Sequence, residues 1–161
     1  MTRLSEKILV IGLGSPIMSD DAVGLRVADA VEKMNLNDVE TCQEAIGGLD
    51  IIPLLLGHRN VIIADAVMTG MYAPGTVIIF DPEDFEHSVG NSSAHEMNLA
   101  TAIRIGRQME PDMMPESVRF VAVEVSDIVT VSEEMTAEVE NAFPDAVDAV
   151  VNMIADIQRS N

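Results

Sequence analysis

Lys7-Ile-Leu-Val-Ile-Gly12-Leu-Gly14-Ser-Pro-Ile-Met-Ser-Asp20-Asp21-Ala-Val-Gly24 is the stretch whose reading decides the fold. It opens with an unbroken apolar run ending in glycine, the pattern of a strand buried on both faces. A loop with two glycines and two adjacent aspartates follows. From Ala22 to Asn35, Val23, Val27, Ala30, Val31 and Met34 fall on one helical face. Strand, tight loop and helix in that order are the first half of a βαβ unit.

Working outward, the same alternation continues. Val39 to Ala45 reads as a second strand, and Gly47-Gly48 opens a short helix from Leu49 to Leu56. Asn60-Val-Ile-Ile-Ala-Asp65 is another fully buried strand. Ala73-Pro74-Gly75 is a turn before a strand from Thr76 to Phe80. A helix is predicted from His95 to Met109 and a last strand from Ser117 to Glu124. The final segment carries Val139, Phe143, Val147, Val150 and Ile154 in helical register. Pro144 is expected to restart that helix, since proline suits a first turn and disrupts an interior. The sum predicts an α/β fold: a three-layer α/β/α sandwich around a twisted, mostly parallel five-stranded sheet. Residues 1–161 are expected to form one domain.

Composition narrows the function. The formal net charge is −18, and Lys7 and Lys33 are the only lysines. Nucleic acid and anionic lipid both require neutralising cations, so neither is an expected partner. A cation, a partner with a basic patch, or adaptation to a salty cytoplasm all fit the charge. No apolar run reaches the ~18 residues of a membrane span. The polar start, Met1 to Lys7, lacks a secretory apolar core. Cys42 is the single cysteine and cannot form an internal disulfide. A cytoplasmic location is the expectation.

The chemistry is expected at the carboxyl ends of the strands, where open parallel sheets bind ligands. Gly12 and Gly14 permit tight turns there. A dinucleotide is excluded, because Ile17 stands where the fingerprint needs glycine and two carboxylates would face the phosphates. Asp20 and Asp21 can complement the helix start, and Asp20 is read as its cap. Asp65, closing an apolar strand, can start a turn or face the same edge as Asp21. The two converge if strands one and three are neighbours, as in flavodoxin-like orders. His95 follows Asn91-Ser92-Ser93; Leu99 removes any zinc-protease His-Glu-x-x-His reading. His58 and His87 read as ordinary surface histidines. Asp21, Asp65 and His95 would make an O, O, N set suited to a borderline divalent metal with open positions. No reactive-thiol signature surrounds Cys42, and no Gly-x-Ser-x-Gly elbow is present.

In sequence order, these motifs resemble the hydrogenase maturation endopeptidase family, which processes the large subunit of nickel-iron hydrogenases. The matching stretches are Gly12-Leu-Gly14-Ser15 through Asp20-Asp21-Ala-Val-Gly24, Ile62-Ile63-Ala64-Asp65-Ala66, Pro74-Gly75-Thr76-Val77, Ser93-Ala94-His95-Glu96-Met97 and the segment Met135 to Pro144. Ser15 stands where the family usually has Asn, and Val123-Glu124-Val125 departs from its Gly-Ile-Glu-Pro form. The resemblance implies metal contact by Asp21, Asp65 and His95. It implies no firmly bound metal of the protein's own: nickel already seated in the immature large subunit is the recognised element. Cleavage after a His or Arg following the last nickel-binding cysteine motif would then release a short C-terminal tail.

Receiver-like phospho-acceptor domains, which bind magnesium, also pair acids after strand one with an aspartate after strand three. They need a lysine near the end of strand five to hold the phosphoryl group, and this sequence has none there. Gly47-Gly48 either borders a substrate groove or only begins a helix. The methionines, Met68, Met71, Met113 and Met114 among them, either fill the core or line an adaptable docking surface.

Overall fold

The computed structural model describes residues 3–84 and 94–161, with the side chains of residues 94–97 excepted. The strands are β1 Ile8–Leu13, β2 Val39–Glu44, β3 Asn60–Val67, β4 Val77–Phe80 and β5 Ser117–Glu124. The helices are α1 Val23–Lys33, α2 Ile52–Leu55, α3 Ala94–Met109 and α4 Ala137–Ser160. Short 3-10 turns, Ser19–Ala22 and Gly48–Ile51, lead into α1 and α2.

The strand order is β2-β1-β3-β5-β4, parallel throughout except for β4. The expected neighbourhood of strands one and three holds, but the last two strands do not follow the flavodoxin-like 2-1-3-4-5 order. Connection length explains the difference. Only residues 68–76 separate β3 from β4, too few for the crossover a parallel strand requires. The chain therefore turns at the carboxyl edge and runs back antiparallel. β5 is nearly all buried, whereas β4 is four residues long and leaves Ile79 exposed. Burial accordingly puts β5 inside the sheet and β4 at its margin.

Side chains alternate across the sheet and build two apolar layers. On one face Val10, Ile62, Ala64, Val121 and Val123 pack with Val23, Val27 and Val31 of α1 and Val139, Val147 and Val150 of α4. On the other, Leu9, Ile11, Ile63, Val118 and Phe120 pack with Leu55 of α2 and Leu99, Ala102 and Ile103 of α3. The three-layer expectation is met. Among the described residues no helix is long and apolar enough to cross a membrane.

Pro144 does not restart a helix. It lies inside the continuous 24-residue α4. A proline here removes one N–H and crowds the carbonyl four residues back. Both Pro144 and Glu140 face solvent, so water can serve the freed carbonyl. The apolar stripe of Val139, Ala142, Ala146, Val147, Val150, Met153 and Ile154 is buried along the helix and holds it together.

Candidate functional site

The loop after β1 owes its shape to three glycines. A Cβ on Gly12 would stand 2.4 Å from the carbonyl oxygen of Gly24 and 2.7 Å from the Ala28 Cβ. A Cβ on Gly24 would meet the carbonyl oxygens of Ala64 at 2.3 Å and Leu13 at 2.5 Å. The start of α1 thus rests directly on the ends of β1 and β3. Gly14 has φ +147°, and a Cβ there would lie 1.9 Å from the Asp21 carbonyl oxygen. Only glycine allows the loop to fold back so closely.

Asp21 lies in the 3-10 turn Ser19–Ala22, which packs against β3. Its Oδ2 accepts the Ser15 N–H at 3.0 Å, closing the loop on itself. Ser15 makes this bond through its main chain, so the bond does not depend on an asparagine side chain. Asp65 does not end its strand. β3 continues to Val67 because β5 supplies partners that far, from Asn60↔Ser117 to Val67↔Glu124. The β1 ladder stops at Gly12↔Ala64. Asp65 is therefore the first β3 residue beyond its ladder with β1, toward the carboxyl edge of the sheet, and the turn that carries Asp21 packs against the same strand. Asp65 is 4% exposed, shares the sheet face of Val61 and Ile63 that α3 covers, and accepts the Ala66 N–H at 2.8 Å.

Asp20 does something other than cap α1, whose start has no side-chain cap. It is fully buried. Its carboxylate accepts the N–H groups of Ser126 (3.3 Å), Asp127 (3.2 Å) and Thr136 (2.7 Å), and the Thr136 hydroxyl at 3.0 Å. Main-chain bonds run alongside, from Ser19 N to Ser132 O, Asp20 N to Asp127 O and Ser132 N to Ile17 O. Asp20 ties the loop after β1 to the loop after β5.

Glu124 is a third buried carboxylate, to which sequence reasoning gave no role beyond its place in the departing Val123-Glu124-Val125 segment. It accepts the Thr69 N–H at 2.8 Å and the Thr69 hydroxyl, clamping the loop after β3. The signal was available: an acid closing an otherwise apolar strand, the same signal that singled out Asp65.

His95 is the second residue of α3. Its side chain lies outside the described residues, as does the whole of His87. Among the described residues no group of three or more His, Cys, Asp and Glu side chains is arranged to hold a metal ion. His58 pairs its Nε2 with Glu40 at 3.3 Å, at the opposite edge of the sheet. Burial, helped by Glu44, pushes the Cys42 thiol up, keeping it protonated near neutrality. The methionines divide: Met114, Met135 and Met153 are buried, whereas Met68 and Met71 are exposed on the loop after β3. Gly48, at φ +58°, begins the 3-10 turn before α2.

Comparison with known proteins agrees with this architecture. The sequence model of the hydrogenase maturation protease family matches residues 25–153, a span that includes Asp65 and His95 and begins just after the Asp21 loop. The Hydrogenase 2 maturation protease of Escherichia coli is 30% identical over 100 residues, 60% of this chain and 61% of that protein. The match thus spans less than two thirds of that relative's length. The hydrogenase expression/formation protein HupD of Rhizobium leguminosarum is 24% identical over 152 residues, 92% of this chain and 74% of that one. The solved structure of the hydrogenase maturating endopeptidase HybD from E. coli superposes with a TM-score of 0.76 at 25% identity, covering 93% of each chain. With the family model matching residues 25–153, most of this chain, and the strand order unlike that of a receiver, the chain belongs to the hydrogenase maturation protease family.

Proposed function

We propose that this protein is an endopeptidase that removes the C-terminal extension of a nickel-loaded [NiFe]-hydrogenase large-subunit precursor in the cytoplasm. The observation that carries the proposal is the family match over residues 25–153, joined to the packing of the turn that carries Asp21 against β3, the strand that carries Asp65. In this reading Asp21, Asp65 and His95 complete the coordination of the substrate's nickel. The protein holds no firmly bound metal itself; the ion arrives with the precursor. Asp65, held in the sheet and nearly out of water, supplies an oriented carboxylate. Asp21 supplies a second from a turn whose shape the glycines dictate. An O, O, N set suits nickel and leaves a position for the scissile carbonyl or a water. The ion then polarises the peptide, or a carboxylate takes a proton from the attacking water.

The test is incubation with nickel-loaded precursor and, in parallel, with nickel-free precursor, followed by intact mass. The expected result is loss of the tail from the loaded form alone. Asp21→Ala, Asp65→Ala and His95→Ala should each abolish processing while leaving far-UV circular dichroism unchanged. Equal cleavage of the nickel-free form, or normal processing by all three variants, refutes the proposal.

A further inference from the structure

The carboxyl edge of the sheet differs in character from the rest of the surface. Most large apolar side chains that stand exposed among the described residues belong to segments that follow β1, β3 and β5. Ile17 is on the first, Met71 and Tyr72 on the second, and Ile128, Val129 and Val131 on the third. Val129 is 78% exposed and Val131 75%, beyond what scattered surface apolar residues require. The three loops are fastened to one another. Ser19 and Ile17 bond to Ser132, Asp20 binds the 126–127 and 136 main chain, and Glu124 grips Thr69 and accepts the Gly75 N–H at 2.7 Å through its carbonyl. The apolar side chains therefore stand on a prepared platform, which lowers the ordering cost of binding.

The same edge has a one-sided charge. The sequence has no lysine or arginine between Lys7 and Arg26, between Arg59 and Arg104, or between Arg119 and Arg159. All three loops fall in these gaps, and they carry Asp127, Glu133 and Glu134. Arg26, at their border, is engaged by Glu140 at 3.1 Å and by the Glu133 carbonyl. A second copy of this chain would bring acid against acid. A complementary partner has apolar side chains ringed by lysine and arginine.

We infer that these three loops form the docking face for the protein substrate, a folded surface with an apolar centre and a basic rim. The inference rests on the proposed function, which makes that substrate the nickel-loaded large-subunit precursor. Docking here brings the precursor's metal to the crevice holding Asp21 and Asp65, because the loops surround it. Affinity comes from the apolar centre, and the acidic rim speeds and orients encounter.

The test uses the full chain with Val129→Asp and Val131→Asp combined, and separately with Glu133→Lys and Glu134→Lys combined. All four positions are exposed, so the fold should survive, and circular dichroism checks that it does. Tail removal is measured against precursor concentration at low and moderate salt. The expected result is a KM raised about tenfold or more with kcat within about twofold for the valine pair. The glutamate pair should weaken binding most at low salt and lose its effect as salt screens the rim. If the wild-type chain cleaves the precursor while both variants keep kcat/KM within about twofold, the docking face is wrong and the proposed function stands. If the wild-type chain does not cleave nickel-loaded precursor, the functional proposal fails and this inference falls with it. A wild-type dimer in sedimentation that the valine variants dissociate would overturn the inference in favour of a self-interface.

Discussion

Replacing Asp20 with alanine tests the interpretation of the site loops most directly. Were Asp20 a cap on α1, its loss would cost about 1 kcal/mol. The structure implies more. The carboxylate is fully buried and accepts three main-chain N–H groups and one hydroxyl from residues 106 to 116 positions away. Alanine leaves those donors without their acceptor. With water reaching part of the gap, an average of roughly 1 kcal/mol for each main-chain donor gives a loss of about 3 kcal/mol. For a chain of this size that is a fall in melting temperature of roughly 6–12 °C. The assay is urea unfolding by circular dichroism, with amide hydrogen exchange at Ser126, Asp127 and Thr136. Those amides should lose protection before the core does, since the 125–136 loop is held to the site through them. Asp20→Asn, keeping one acceptor oxygen, should fall between the wild type and alanine. A loss near 1 kcal/mol, with protection at the three amides unchanged, would refute the reasoning.

Gly14→Ala should destabilise by about 3 kcal/mol or more, because a Cβ there collides with the Asp21 carbonyl from a strained φ; denaturant titration reads it. Pro144→Ala should stabilise by about 2 kcal/mol: restoring an intrahelical bond is worth about 3, and the freer unfolded chain takes back nearly 1; calorimetry reads it. Cys42, whose thiol pKa is raised by burial, should react with iodoacetamide more slowly in the folded chain than in urea at pH 8, read by mass spectrometry. The sign follows from linkage: the folded state favours the protonated thiol, so its contribution is full below the unfolded pKa and fades as pH rises through the folded one.

The amino-acid sequence by itself determined the buried strands, the glycine loop and the amphipathic helices. Those features are written locally: an apolar run such as Ile8 to Ile11 has one low-energy place, between two layers, and helical spacing in Ala22 to Asn35 presents one face to it. It also singled out Asp21, one of two adjacent acids in the loop between the first strand and helix, and Asp65, an acid directly after an apolar run, because a carboxylate against an apolar strand is costly unless the fold uses it. Tertiary structure alone decided the sheet order, since nine residues between β3 and β4 prevent a crossover and full burial claims the inner position for β5. It alone supplied the partners of Asp20 and Glu124, which lie far along the chain, although Glu124 is marked locally as an acid closing an apolar strand. Pro144 shows the same division. Its ring argues locally for a break, but the apolar stripe on both sides of it is buried against the sheet as one surface, and that burial outweighs the missing bond.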